Sequence, residues 1–345
     1  MIIISIIDFL LWGNQMKQLT CFVLMLLFAL NVSPLYSQPY QYTKTVLFSL
    51  EWGDEDQQIG YRAGEPSDIF PKIGATNYTV TLNGFIWIYD IVQNSIKAFN
   101  MDGKLIKKYV LHEHAGIEGF ITSDNMNNIW FHDAWNHRVL KLNENGDLLY
   151  TITYDSDSVW GQISIINEKP VMDVMVMLDD KVKLLDVGFE NKPEYKAQLV
   201  DVDSSSIYNI NRGEFSNRVY FINDLDVSDE GDIILPKLHI DNELVDKIEF
   251  EEFITKKYYI FFQEEDQYCN YYLYLFPHYQ EDISPYIYKY NINNELVSII
   301  ELPWISQKYG FASYPLFIND NGDVYYMELR DEAITFYKWS ALEGE

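Results

Sequence analysis

The chain has 345 residues, of which 48% are hydrophobic and 16% aromatic, and its formal net charge is −27. This length and apolar content suffice for one large β domain or two ordinary domains. The acidity argues against a nucleic-acid partner, because binding a phosphate backbone needs clustered Lys and Arg, and the sequence has no basic stripe.

The first 37 residues are predicted to be a signal peptide. Lys17 precedes an apolar run at 19–30, and Ser37 supplies a small residue at the expected cleavage point. Met16 is the expected start, which makes residues 1–15 an upstream extension from a misplaced start codon. The alternative is a membrane anchor, but polar residues interrupt the stretch and neither apolar half reaches about 20 residues. We therefore expect residues 38–345 to be a single exported domain, periplasmic or extracellular, with no membrane attachment after cleavage.

The two cysteines limit what can hold the fold together. Cys21 lies in the targeting segment, so Cys269 would be alone in the mature chain. A disulfide framework is therefore excluded, and so are zinc sites built on paired cysteines.

Two stretches match each other at an offset of 43 residues. Residues 86–90 (IWIYD) recur as 129–133 (IWFHD), and the turn at 100–105 (NMDGKL) recurs as 143–148 (NENGDL). Short β-runs repeated every 40 to 50 residues are typical of a propeller blade, which is a four-stranded antiparallel unit arranged around a central axis. The apolar second strand, without alternation, indicates that both of its faces are covered.

Later units keep the plan less regularly, and we predict six blades in all. The last unit, from Pro315, has only three strands before the chain ends. The strand at 45–50 is the expected fourth, and its pairing with the last strand would close the ring and cover two sheet edges. Seven blades are the alternative if the irregular stretch from Asp186 to Asn217 contains a further unit. The fold class is thus an all-β propeller.

The first two units resemble the NHL-type repeat of six-bladed propellers. The resemblance rests on the apolar strands that end in Asp90 and Asp133, on Asn94 and Asn136 after them, and on the glycine and asparagine turns, over roughly residues 60–155. It implies a propeller fold. The family it points to includes protein-binding scaffolds, an RNA-binding branch and a metal-dependent lyase branch.

The candidate binding residues lie where the two repeats differ. Trp135, His137 and Arg138 follow Asp133, where the first repeat has Val, Asn and Ser, and such a change suits contact with a partner. His132 and Tyr89, at equivalent positions of the two repeats, complete the set. The alternative is local packing, just as the repeated aspartates are expected to cap the turns that follow them.

Metal binding has only weak candidates. His112 and His114 flank a glutamate and would face one side of a strand, but they are expected to lie in a solvated loop. Calcium or zinc would be the cofactor of a metal-dependent hydrolase, lactonase or lyase in the central channel, whereas the preferred expectation is no cofactor. No nucleophile turn, phosphate loop or paired catalytic carboxylate motif is present.

We therefore expect a monomeric, non-catalytic scaffold that presents its rim loops to a protein or carbohydrate ligand. Sugars enter this expectation because tyrosines and phenylalanines alternate with acidic residues between Tyr258 and Tyr290, although strand core is the simpler interpretation of that stretch.

Overall fold

The structure is a computed structural model in which the chain divides into two compact units, Met1–Gln41 and Tyr42–Glu345. The described residues all belong to the second unit, so the predicted signal peptide lies outside them. They are 42–63, 72–75, 77–116, 119–153, 164–166, 169–178, 181–188, 194–203, 207–212, 219–223, 238–240, 243–244, 258–277, 284–303, 315–330 and 332–341. Within these ranges no helix has the length and apolar character needed to cross a bilayer.

The described secondary structure consists of β-strands. In chain order they are β1 (Tyr42–Glu51), β2 (Arg62–Ala63), β3 (Lys72–Ile73), β4 (Asn77–Val80), β5 (Ile86–Asp90), β6 (Ser95–Phe99), β7 (Leu105–Val110), β8 (Gly119–Ser123), β9 (Ile129–Asp133), β10 (Arg138–Leu142), β11 (Leu148–Thr153), β12 (Ser164–Ile166), β13 (Lys169–Leu178), β14 (Lys181–Gly188), β15 (Glu194–Asp203), β16 (Ile207–Arg212), β17 (Val219–Asn223), β18 (Leu238–Ile240), β19 (Glu243–Leu244), β20 (Tyr258–Glu265), β21 (Tyr271–Pro277), β22 (Tyr286–Tyr290), β23 (Leu296–Glu301), β24 (Leu316–Ile318), β25 (Val324–Leu329) and β26 (Ala333–Ala341).

These strands form six four-stranded sheets, besides a short two-stranded pair made by β2 and β3. The first sheet is β4–β7, the second β8–β11, the third β12–β15, the fourth β16–β19 and the fifth β20–β23, each with its strands in chain order. The sixth consists of β24, β25, β26 and β1. All pairings within the sheets are antiparallel. The predicted all-β propeller architecture of four-stranded antiparallel sheets is confirmed.

The sixth sheet joins the two ends of the described chain. Strand β1 pairs with β26 over Tyr42–Glu51, with one register shift between Val46 and Phe48. A hydroxyl contact of 2.9 Å between Ser49 and Thr335, which are direct cross-strand partners, supports this register. The strand ahead of the first repeat therefore completes the three-stranded last unit, as the sequence predicts.

The stretch from Asp186 to Asn217 does not supply a seventh unit in the part of the chain that is described. Its strands belong to the third sheet (β14 and β15) and to the fourth sheet (β16). The sequence analysis named no strand at β16, because its six residues include only three apolar side chains, Ile207, Tyr208 and Ile210, in a segment that does not repeat the plan of the first two units. The seven-blade alternative is wrong for this stretch.

The apolar core lies between the faces of successive sheets. Every residue of β5, β9 and β25 is buried, which explains why these second strands are apolar without alternation. Buried clusters join the fourth sheet to the fifth, the fifth to the sixth, the sixth to the first and the first to the second. First strands of neighbouring sheets also lie side by side at β4 and β8, β8 and β12, β16 and β20, β20 and β24, and β24 and β4. From the fourth sheet through the fifth, sixth and first to the second, successive sheets are thus packed face to face.

Turn residues explain why the chain reverses where it does. The turns between first and second strands place Gly84, Asn127, Cys269 and Gly322 at φ values of 83°, 61°, 57° and 78°. Glycine and asparagine adopt this left-handed conformation most readily. Cys269 therefore occupies a turn position that other sheets fill with glycine or asparagine.

Candidate functional site

Antiparallel pairing divides the turns of each sheet between two rims. Turns between first and second strands, and between third and fourth strands, lie at one end, which we call the hairpin rim. Turns between second and third strands lie at the other end, together with the segments that lead from one sheet to the next, and we call this end the connecting rim. The candidate residues of the sequence analysis fall at the connecting rim of the first two sheets.

The repeated aspartates cap the turns at this rim, as expected. Asp133 is buried, and its carboxylate accepts hydrogen bonds from the Asn136 backbone N–H at 3.2 Å and from the Asn136 side-chain amide at 2.7 Å. Asp90 accepts the corresponding bond from the Gln93 N–H at 3.0 Å. Each carboxylate thereby satisfies a backbone donor that the turn would leave unpaired.

The structure confirms the 43-residue offset in these two turns. Asn94 and His137 are equivalent, with φ values of 47° and 49°, so His137, and not the Asn136 of the NHL-type match, takes the place of Asn94. Histidine is among the residues that tolerate this conformation best. His137 is half-buried, and its main role visible here is to let the chain turn.

Asn94 holds the segment that joins the first sheet to the second, residues 111–116. Its amide donates to the carbonyls of Leu111 at 2.9 Å and Glu113 at 3.0 Å, and its carbonyl oxygen accepts from the Ala115 N–H at 3.1 Å. Asn136 holds the same segment from the second sheet, through a bond of 3.1 Å to the carbonyl of His114. The joining segment is thus fixed from both sides.

Trp135 lies on this fixed support. Its side chain is 67% exposed, and it packs over Gly116, where an added Cβ would lie 3.1 Å from the Trp135 Cβ and 3.3 Å from two ring carbons. Arg138 donates from Nε to Asp133 at 2.8 Å and from Nη1 to Glu113 at 2.7 Å. We call the surface formed by Glu113, His114, Trp135, Asn136 and Arg138 the Trp135 surface.

Tyr89 and His132 do not reach the surface, so the prediction that they contact a ligand is wrong. Tyr89 is fully buried, its hydroxyl donates to the carbonyls of Ala115 at 2.8 Å and Gly116 at 2.9 Å, and burial raises its pKa far above the ordinary value. His132 is fully buried with its ring stacked on Phe120 at a centroid distance of 6.2 Å. A ligand at the rim cannot touch either residue, but Tyr89 supports the segment beneath Trp135.

His112 and His114 are both exposed in the joining segment, as the loop interpretation predicts. Among the described residues no three His, Cys, Asp or Glu side chains are grouped closely enough to hold a metal ion. In the aromatic-rich stretch of the fifth sheet, Tyr271, Tyr272, Tyr274 and Tyr290 are buried, so these residues form strand core rather than a sugar-binding face.

The sequence analysis missed a group of buried charges near the hairpin rim. In the second sheet, Asp124 accepts a hydrogen bond from the Trp130 indole N–H at 3.0 Å and lies 3.5 Å from the Lys141 ammonium. Burial alone would raise the pKa of Asp124, but hydrogen bonds from Asn128, Trp130 and backbone N–H groups lower it below the ordinary value. The fully satisfied carboxylate locks the turn between β8 and β9.

The buried pair recurs in the fifth sheet, and a partly exposed pair lies at the same rim of the sixth sheet. Asp266 accepts from the Tyr272 hydroxyl at 2.9 Å and lies 3.2 Å from Lys289. In the sixth sheet Lys338 lies 2.8 Å from Asp323 and over the ring of Tyr325. A sequence signal for it existed: in the second and fifth sheets an Asp precedes an Asn by four residues and an aromatic residue by six.

Comparisons with known proteins give the following. No family model matches the chain and no curated protein matches it. Among solved structures the chain is similar to a DUF4221 family member from Bacteroides vulgatus, at 10% identity over 89% of this chain and 100% of that one, with a TM-score of 0.49. It is also similar to a catalytically inactive virginiamycin B lyase from Staphylococcus aureus with quinupristin, at 13% identity over 88% and 100%, TM-score 0.48. A third is the PQQ-bound aldose sugar dehydrogenase from Streptomyces coelicolor, at 9% over 88% and 99%, TM-score 0.45.

Proposed function

We propose that the six sheets are the blades of one closed ring and that the protein is an exported, non-catalytic binding scaffold. Three observations support the ring: β1 supplies the outer strand of the sixth sheet, the sixth sheet packs against the first, and β24 lies beside β4. A ring of stacked sheets gives its rim loops a rigid base, and this arrangement suits recognition by the loops.

The observation that carries the proposed function is the Trp135 surface. Trp135 is 67% exposed, and its turn is held by a buried aspartate and by contacts to the neighbouring segment. Holding such a side chain in one position lowers the entropy that a ligand must remove on binding. An aromatic anchor of this kind is typical of a binding site. The ligand would be a protein or carbohydrate outside the cytoplasm.

Elemental analysis of the purified mature protein separates this proposal from its rival, a hydrolase, lactonase or lyase that uses a metal in the central channel. We expect less than about 0.1 equivalent of calcium, zinc or another divalent ion to remain after dialysis against buffer without chelator. A tightly held ion at one equivalent would contradict the non-catalytic scaffold. If the rival proposal is right, removing that ion with a chelator should abolish the hydrolase, lactonase or lyase activity.

Export is tested separately by N-terminal sequencing of the released protein. We expect it to begin at Gln38, after cleavage behind Ser37. A released or cell-associated protein that still begins at Met1 or Met16 would contradict cleavage behind Ser37.

A further inference from the structure

The Trp135 surface combines one apolar group with a polar surround. Among the described residues, the other exposed large apolar side chains lie in hairpin-rim turns, such as Tyr268, or on outer strands, such as Leu149. Within the described part of the connecting rim, Trp135 is thus the only exposed large apolar side chain that lies in a turn. The other residues of the Trp135 surface belong to the same turn or to the segment at 111–116 on which Trp135 packs, and they carry a carboxylate, a guanidinium, an imidazole and an amide.

This pattern fits a sugar better than a protein. The hot spots of protein interfaces cluster near the centre of the contact area in well-packed pockets, whereas Trp135 is a single exposed apolar side chain. A pyranose ring instead has a small apolar face of C–H groups and hydroxyls around its edge, each of which both donates and accepts hydrogen bonds. One aromatic face with donors and acceptors beside it matches that chemistry.

The polar groups are already oriented. Arg138 is held by Asp133 and Glu113 at 2.8 and 2.7 Å, and Asn136 is held by Asp133 and the His114 carbonyl at 2.7 and 3.1 Å. Paired in this way, the Arg138 and Glu113 charges partly cancel, and the pair can bond hydroxyls without requiring a charged ligand. The chain's net charge of −27 opposes an anionic polymer.

Resting on the proposed function, we infer that the Trp135 surface binds a neutral polysaccharide, with a sugar ring stacked on Trp135 and its hydroxyls bonded by Glu113, Asn136 and Arg138.

Affinity electrophoresis in native gels tests this inference. The gels contain a neutral polymer (barley β-glucan, xylan or galactomannan) or anionic polygalacturonate. At least one neutral polymer should retard the wild-type protein. Trp135→Ala should raise the dissociation constant about tenfold or more, as loss of a central aromatic anchor does, while Trp135→Phe should retain part of the affinity. Tyr268→Ala, which removes a 65% exposed aromatic side chain from the hairpin rim, is the matched control and should bind like the wild type.

Each other outcome overturns a defined statement. Retardation by no neutral polymer, retardation by polygalacturonate alone, or equal retardation of wild type and Trp135→Ala would each overturn the inference. If Trp135 instead binds another protein and no neutral polymer is bound, the carbohydrate inference is overturned, whereas the scaffold proposal is supported. New reducing ends in the bound polymer would contradict the non-catalytic scaffold and leave the carbohydrate inference intact. Unchanged urea unfolding of Trp135→Ala confirms that folding is unaffected.

Discussion

The first and second sheets share a backbone plan at an offset of 43 residues, yet they pair their buried lysines at opposite ends. In the first sheet, Lys97 is fully buried at the connecting rim, 2.9 Å from Asp90 and hydrogen-bonded to the Gln58 carbonyl. In the second sheet, Lys141 lies near the hairpin rim with Asp124. The repeat thus preserves the turns, while each sheet pairs its own charges.

The difference has a cost in the first sheet. Trp87 corresponds to Trp130, but Thr81 stands where the second sheet has Asp124, and Ala98 stands where it has Lys141. Among the described residues, the buried indole N–H of Trp87 consequently has no hydrogen-bond partner. An unpaired buried donor destabilises a fold by about 1–3 kcal/mol. The first sheet instead gains the contacts of Asp90, which also accepts from the Gly60 N–H at 2.9 Å.

The largest effect should come from removing the capping aspartates. Asp90→Ala leaves the Lys97 ammonium buried without its counter-charge, so we expect a loss of about 3–5 kcal/mol in the free energy of unfolding. Asp133→Ala should cost clearly less, because Arg138 is partly exposed and keeps its bond to Glu113. Urea unfolding at pH 7 measures both variants. If Asp90→Ala and Asp133→Ala lower the free energy of unfolding equally, the burial of Lys97 adds nothing to the importance of Asp90.

Acid should remove a stabilising contribution that the second sheet has and the first sheet lacks. The pKa of Asp124 is lowered in the folded state, so its contribution is present above the unfolded pKa of about 3.9 and is lost as pH falls through the folded pKa. We expect Asp124→Asn to lower the free energy of unfolding by about 2 kcal/mol at pH 7.

The difference in the free energy of unfolding between the wild type and Asp124→Asn should become smaller below pH 4. Comparing the two proteins at each pH cancels the titration of the other carboxylates. A gap that stays constant from pH 7 to pH 3 would contradict a stabilising role for the ionised carboxylate.

A smaller effect should separate the two tryptophans. Trp130→Phe removes the bond to Asp124, whereas Trp87→Phe removes a donor that has no partner. Since both changes delete the same volume, Trp130→Phe should cost about 1.5 kcal/mol more in the free energy of unfolding. Thermal and urea unfolding of the two variants measure this, and a larger loss for Trp87→Phe would reverse the comparison.

Much of the fold could be predicted from the sequence because turn chemistry and strand burial are local. The fully apolar second strands and the glycine and asparagine turns located the first, second, fifth and sixth sheets. Strand β16 could not be located, because a short strand with few apolar residues, in a segment that does not repeat the plan of the first two sheets, carries a weak signal.

The site was less predictable. The exposed Trp135 and the capping aspartates were anticipated, because they follow from the comparison of aligned positions. No local sequence pattern predicts how the segment at 111–116 folds across the first two sheets. That fold determines the burial of Tyr89 and His132 and the ion pair of Arg138 with Glu113. Nor does spacing within one sheet identify the partner of a buried lysine.

The central claim is that strand β1 closes the ring by pairing with β26. Cross-linking these two strands tests it most directly. Thr43 and Ser340 are direct partners in the register of β1 and β26. With Cys21 and Cys269 replaced by Ser and Asn, the double variant Thr43→Cys/Ser340→Cys should oxidise within one molecule and migrate faster on non-reducing gels. The control pair Thr43→Cys/Glu144→Cys, which joins unpaired positions, should not. Cross-links only between molecules, or none, would contradict a ring closed by β1.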